Sequence, residues 1–275
     1  MAGFFPDRLA EFLQKRCPPE RIHTLVLWSK SPANILMHGG LRSALSRYEQ
    51  IFLHLTVTGM GGTFLEPGIP APASVLGLLP DLIRFTGSPE RIRVRFDPIV
   101  HLGLPDKRTY SNIRSFVDVA GPASRAGIRH AVVSWMTAYP KVLKRLEKHG
   151  IQVKRVAPET WEEEAAWLRV KAGEMGMDVA GCCVQGWPLS RCIDGALLSM
   201  LHPRGLPAAL QKAGGQRPHC GCTAGWDIGW YLPCPGGCLY CYANPMESAA
   251  GGGQRFEGLP FSNIHASRKD RAVRG

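Results

Sequence analysis

The chain reads as an α/β protein: a partial, TIM-like (β/α) barrel over residues 1–205, a cysteine-rich module over 206–248 and a flexible basic tail over 249–275. Three observations carry this reading. From Leu9 to Gly181, short β-rich runs alternate with helical stretches, a pattern that calls for parallel strands joined by right-handed crossovers. After Leu201 the texture changes to Gly, Pro and aromatic residues, and five of the nine cysteines fall between 220 and 241. Strand order is open at this level, so a doubly wound sheet is the rival arrangement.

The elements follow in order. Leu9, Phe12 and Leu13 share one face of a first helix. Thr24–Trp28 is the first strand, and Leu41, Leu45 and Tyr48 line the next helical face. Further strands are expected at Ile51–Thr58, Ile92–Phe96, His130–Trp135 and Met177–Gly181. Pro140 suits a first helical turn and Gly150 a stop, which brackets a helix over Lys141–His149. Thr160 with Glu163 reads as a capping box, ahead of a face made by Trp161, Ala165, Leu168 and Ala172. A barrel of βα units opens with a strand, whereas this chain opens with a helix, so the first strand is expected to be missing. The AAGGGQ run after Ser248 reads as a linker.

Apolar residues make up 45% of the 275, enough for a sizeable core. No run reaches the ~18 apolar residues a membrane helix needs, and the N-terminus lacks the pattern of a signal peptide. A soluble cytoplasmic protein is expected. In a reducing compartment, nine cysteines clustered in this way point to metal ligation rather than disulfides. The net charge of +11 could attract nucleic acid or an anionic substrate. A solvated surface with a basic tail is the favoured account of it, since charge alone is weak evidence and no helix-turn-helix or RNA-binding motif accompanies it.

The informative stretch is Cys234-Pro-Gly-Gly-Cys238-Leu-Tyr240-Cys241. Three thiolates in one tight loop suit three irons of a [4Fe–4S] cubane, with Pro235, Gly236 and Gly237 letting the backbone curl closely. The fourth iron is then open to chelate S-adenosylmethionine, whose reductive cleavage gives a 5′-deoxyadenosyl radical. Tyr240 would shield the cluster and pack beside the adenine. Cys220 and Cys222 complicate this reading: either could cap the fourth iron, making the cluster an electron-transfer or structural one. They could also hold a second metal with His219, join a zinc module of a nucleic-acid-binding protein, or be buried thiols. Cys182, Cys183 and Cys192 have no telling spacing, although Cys182 and Cys183 follow a predicted strand.

Polar residues close each predicted strand: Ser29 and Lys30, Thr56 and Thr58, Arg95 and Asp97, Ser134. In a parallel barrel these ends share one mouth. Lys30 and Arg95 offer cationic contacts there for the cofactor's carboxylate or an anionic substrate. Asp97 could bind a ribose hydroxyl or pair with Arg95. Gly61-Gly62, with Glu66 beyond, could contact the methionine moiety or be only a turn.

Taken together, Cys220-Gly-Cys222, Asp227-Ile-Gly229 and Cys234-x3-Cys238-x-Tyr-Cys241-Tyr-Ala resemble the bacterial domain-of-unknown-function 1848 family. Trp28-Ser-Lys30-Ser-Pro32, Thr58-Gly59, Glu66-Pro67, Arg95-Phe-Asp97-Pro-Ile99 and Cys192-Ile-Asp194 match it too, from about the first helix to Asn244. The resemblance implies iron–sulfur binding and a barrel of the radical S-adenosylmethionine type, with the cluster loop moved to the C-terminal end. It implies no substrate. An electron donor such as ferredoxin or flavodoxin would be the partner. Family members usually open with a strand carrying a Ser-Arg-Arg-Thr-Asp-like segment, which this chain lacks.

Overall fold

A computed structural model of the chain describes residues 2–229, 232–246 and 264–265. In chain order the elements are α1 (Pro6–Arg16), β1 (Leu25–Ser29), α2 (Ala33–Met37), α3 (Gly39–Leu45), β2 (Ile51–Thr56), α4 (Pro72–Leu76), α5 (Leu79–Thr86), β3 (Ile92–Ile99), β4 (His101–Gly103) and β5 (Thr109–Ser111). They continue with α6 (Phe116–Arg125), β6 (His130–Trp135), α7 (Pro140–Lys148), β7 (Gln152–Val153), α8 (Pro158–Glu174), β8 (Asp178–Gly181), α9 (Gly195–Met200) and β9 (Ile264–His265).

The five predicted strands form one parallel sheet in the order β1-β2-β3-β6-β8. Strand order follows chain order. A doubly wound sheet would reverse at a switch point, and none of these five strands does. Leu53, Leu55, Val94, Phe96 and Val133 are essentially buried, as expected of parallel strands covered on both faces. Helix α1 contributes Leu9 and Leu13 to the same core, and α8 contributes Ala165, Leu168 and Ala172.

Two local expectations need correction. Thr160 does not cap α8: the helix begins at Pro158 after Ala157. Proline suits the first turn, where its missing N–H is no loss, and so it sets the start. Tyr48 lies past the end of α3, and its hydroxyl donates to the Cys17 carbonyl at 2.7 Å.

A second, antiparallel sheet in the order β7-β4-β5-β9 lies beyond the C-terminal end of β3. Its strands are two or three residues long. With Val142 and Leu146 of α7, they surround a smaller core that also takes in Met60, Leu65 and Ile69. The expected tail, 249–275, lies outside the described residues except for Ile264 and His265, which pair with β5. Among the described residues no helix is long and apolar enough to cross a membrane.

Candidate functional site

Parallel strands put all their C-terminal ends at one edge, and the polar residues expected there are found together. The loop of Cys234, Cys238 and Cys241 is bound to the same edge. Leu239 N–H donates to the Leu65 carbonyl at 3.0 Å, and Gly68 N–H donates to the Gly236 carbonyl at 3.1 Å. Arg145 of α7 donates to the carbonyls of Leu239 and Cys241 at 3.0 and 2.8 Å. The tip, Cys238-Leu239-Tyr240, is buried in the smaller core against Met60, Leu65 and Ile69. Gly68 is required by close approach: a Cβ there would stand 2.1 Å from the Pro235 carbonyl oxygen. Gly237 turns the loop with φ +60°, a region that glycine enters without penalty.

Behind this loop, Lys30 donates to Glu66 Oε1 at 2.6 Å, and Thr58 Oγ1 donates to the same oxygen at 2.6 Å. Lys30 and Glu66 each also hydrogen-bond the Tyr240 hydroxyl. Burial pushes Lys30 down, but the charges of Glu66, Cys238 and Asp97 together hold it above its ordinary value. It is therefore a permanent cation. Burial, then Glu66 and Cys238, hold the Tyr240 hydroxyl protonated. Glu66 is the buried residue of this network that sequence reasoning undervalued. Its signal was its place eight residues after Thr58, on the turn that follows β2.

The three loop cysteines are neighbours: Cys238 feels the charges of Cys241 and Cys234, as well as Lys30 and Glu66. Burial raises the Cys238 thiol to about 12, and the Lys30 cation opposes that rise. Ala243 N–H donates to Cys241 Sγ at 3.3 Å. Among the described residues, no three His, Cys, Asp or Glu side chains converge closely enough to hold a single metal ion as they stand. A cubane makes a looser demand, because its inorganic core separates the protein sulfurs. The donor set and the glycine-lined turn fit such a cluster.

On the other side of the edge, Arg95 and Asp97 follow the two-residue period of β3 onto one face and form an ion pair. Asp97 thus takes the pairing role of the two expected of it, and it also accepts from the Ser134 hydroxyl. The register of β3 against β6 shifts between Phe96 and Ile99, the stretch that includes Asp97. Arg95 Nη1 also donates to Cys192 Sγ at 2.8 Å. Burial lowers Arg95, but Asp97 and the thiols of Cys192 and Cys182 together raise it. Cys222 does not accompany the three-cysteine loop: its sulfur accepts from the Cys192 N–H at 3.2 Å, and its thiol also meets Cys220. Gly61, Gly62 and Glu66 form a turn, with Gly62 N–H on the Glu66 carbonyl at 3.2 Å. A surface hollow of about 800 Å³, lined by residues such as Ile51 and Arg91 at the N-terminal ends of β2 and β3, has no cysteine in its lining.

The family model described as Domain of unknown function (DUF1848) matches residues 8–243. The chain is a DUF1848 protein. The match takes in all nine cysteines, from Cys17 to Cys241, and every strand-edge residue named above. Neither the curated proteins nor the solved structures give a match to this DUF1848 chain.

Proposed function

We propose that this protein binds a [4Fe–4S] cluster through Cys234, Cys238 and Cys241 and uses it to cleave S-adenosylmethionine, on a partial (β/α) barrel of the radical S-adenosylmethionine type. One observation carries the reading: a buried network of Lys30, Glu66, Thr58 and Tyr240 fixes the cysteine loop at the edge where the C-terminal ends of the parallel strands meet. The sequential strand order is the order a barrel uses.

When bound, such a cluster supplies the electron that splits the sulfonium of S-adenosylmethionine into methionine and a 5′-deoxyadenosyl radical. The protein's part is positioning and electrostatics. The Lys30 cation, with Glu66 as its counter-charge, sits beside Cys238 and offsets the negative charge of a thiolate there. Tyr240 and Leu239 close the buried side of the loop against water. Arg95, held by Asp97, offers a fixed guanidinium for the carboxylate of the cofactor or of an anionic substrate. Cys222 is engaged with Cys192 and Cys220, so no fourth protein thiol is assigned to the cluster.

The test is spectroscopic. Protein reconstituted with iron and sulfide and then reduced should give a cluster signal in electron paramagnetic resonance that shifts on adding S-adenosylmethionine. A cluster signal that ignores the added compound would leave an electron-transfer or structural role.

A further inference from the structure

Six cysteines take no part in the proposed chemistry at the C-terminal loop, and four of them lie close together. Cys182 follows β8, with its N–H on the Val133 carbonyl at 2.8 Å. Cys192 lies in the loop before α9; its N–H donates to Cys222 Sγ at 3.2 Å, and its thiol lies beside that of Cys182. Cys222 in turn lies beside Cys220. The Cys220–Cys222 segment is tied to the Cys192 loop by backbone, through Thr223 N–H on the Ile193 carbonyl at 2.9 Å. Gly195 N–H adds a bond to Thr223 Oγ1 at 3.0 Å. Three separate stretches of chain thus bring four cysteines into one neighbourhood. The thiols near Cys238 are Cys234 and Cys241, whereas those near Cys192 are Cys182 and Cys222.

We propose that Cys182, Cys192, Cys220 and Cys222 form a second thiolate metal centre, separate from the loop of Cys234, Cys238 and Cys241. Two further features support it. Four thiolates concentrate negative charge, and three guanidiniums stand ready to offset it. Arg95 donates to Cys192 Sγ at 2.8 Å, Arg217 reaches Cys182 Sγ at 3.9 Å, and Arg93 feels the charges of Cys192 and Cys222. The second feature is need. Between β8 and the cluster loop the only helix among the described residues is the six-residue α9. A stretch so poor in regular structure gains stability from a metal, because binding free energy becomes folding free energy. The sulfurs do not yet converge on one point among the described residues, so binding draws them inward. Soft thiolate ligands select zinc or iron, the latter with or without sulfide.

The experiment uses the full chain, purified without oxygen, and counts zinc, iron and sulfide. A variant with Cys234, Cys238 and Cys241 all changed to Ser should still carry bound metal, and adding Cys192→Ser should reduce it to below about a tenth. In the otherwise natural chain, Cys192→Ser should remove only that share and leave the rest in place, which keeps the test sound even if the triple variant folds badly. Zinc alone identifies a structural ion, and iron with sulfide identifies a second cluster. A folded triple variant with no metal, a metal count indifferent to Cys192, or a disulfide among the four cysteines in the anaerobic protein would each overturn the proposal. These outcomes do not depend on whether the first cluster cleaves S-adenosylmethionine.

Discussion

Lys30, one residue beyond β1, and Glu66, on the turn after β2, form an ion pair 2.6 Å long beneath the cysteine loop. Glu66 is 1% exposed and also accepts from Thr58 and Tyr240, so its carboxylate joins two strand ends to the loop.

Removing that carboxylate's charge tests the joint. Glu66→Gln leaves Lys30 without its counter-ion in a partly buried site. The expected cost is near the low end of the about 3–5 kcal/mol for breaking a buried pair. For a chain of this size that is a fall in Tm of roughly 6–12 °C. Thermal unfolding followed by circular dichroism measures it. An unchanged Tm would mean that the pair does not hold the loop.

Cluster ligation is tested by colour and by count. Cys238→Ser should abolish the brown colour of the anaerobically reconstituted protein and lower its iron and sulfide content, while Cys17→Ser should leave both unchanged. Cys17 is the buried C-cap of α1, and its carbonyl accepts from the Tyr48 hydroxyl. Equal loss from the two substitutions would place the iron elsewhere.

Gly68 and Gly173 make a matched pair of substitutions. At Gly68 an added methyl meets the Pro235 carbonyl at 2.1 Å, so Gly68→Ala should push the cysteine loop away. The overpacking cost is about 1–3 kcal/mol, and iron retention should fall with it. At Gly173 nothing lies within 4 Å, so Gly173→Ala near the end of α8 should stabilise the helix by about 0.5–1 kcal/mol and leave iron content unchanged. Thermal unfolding and iron analysis of the two variants side by side check both statements.

Tyr48 gives a pH dependence of known sign. Burial and the nearby Cys17 raise its hydroxyl from the ordinary 10.0 to about 12. Between these values the unfolded chain loses the proton and the folded one keeps it. The stabilisation is therefore fully present below pH 10 and is lost as pH rises toward 12. Tyr48→Phe should flatten the fall in stability over this window, as read by urea unfolding at stepped pH. A fall of unchanged steepness would assign the alkaline sensitivity to other groups.

Much of this architecture was legible in the residues. The five strands of the main sheet announced themselves as short apolar β-rich runs between helices, and parallel connection then dictated that Lys30, Thr58, Arg95, Asp97 and Ser134 share an edge. What stayed hidden has physical causes. Strands of two or three residues, such as β4, β5 and β7, are too short to display an alternation, so the smaller sheet gave no signal. The start of α8 was misplaced because Pro158 suits the first helical turn better than Thr160 suits the cap. The partnership of Cys222 with Cys192 was unreadable because they stand thirty positions apart, across a stretch whose only helix among the described residues is the short α9. Glu66 was marked only by the Glu66-Pro67 match and its place on a turn, neither of which reveals its bonds to Lys30, Thr58 and Tyr240.

Release of 5′-deoxyadenosine is the most direct measurement. The full chain, reconstituted with iron and sulfide and reduced with dithionite under anaerobic conditions, is incubated with S-adenosylmethionine, and the nucleoside is quantified by liquid chromatography. Time-dependent 5′-deoxyadenosine that requires reductant and disappears in Cys238→Ser is the expected result. A fully loaded, reducible cluster that produces none would contradict the reading of this loop as a centre for S-adenosylmethionine cleavage.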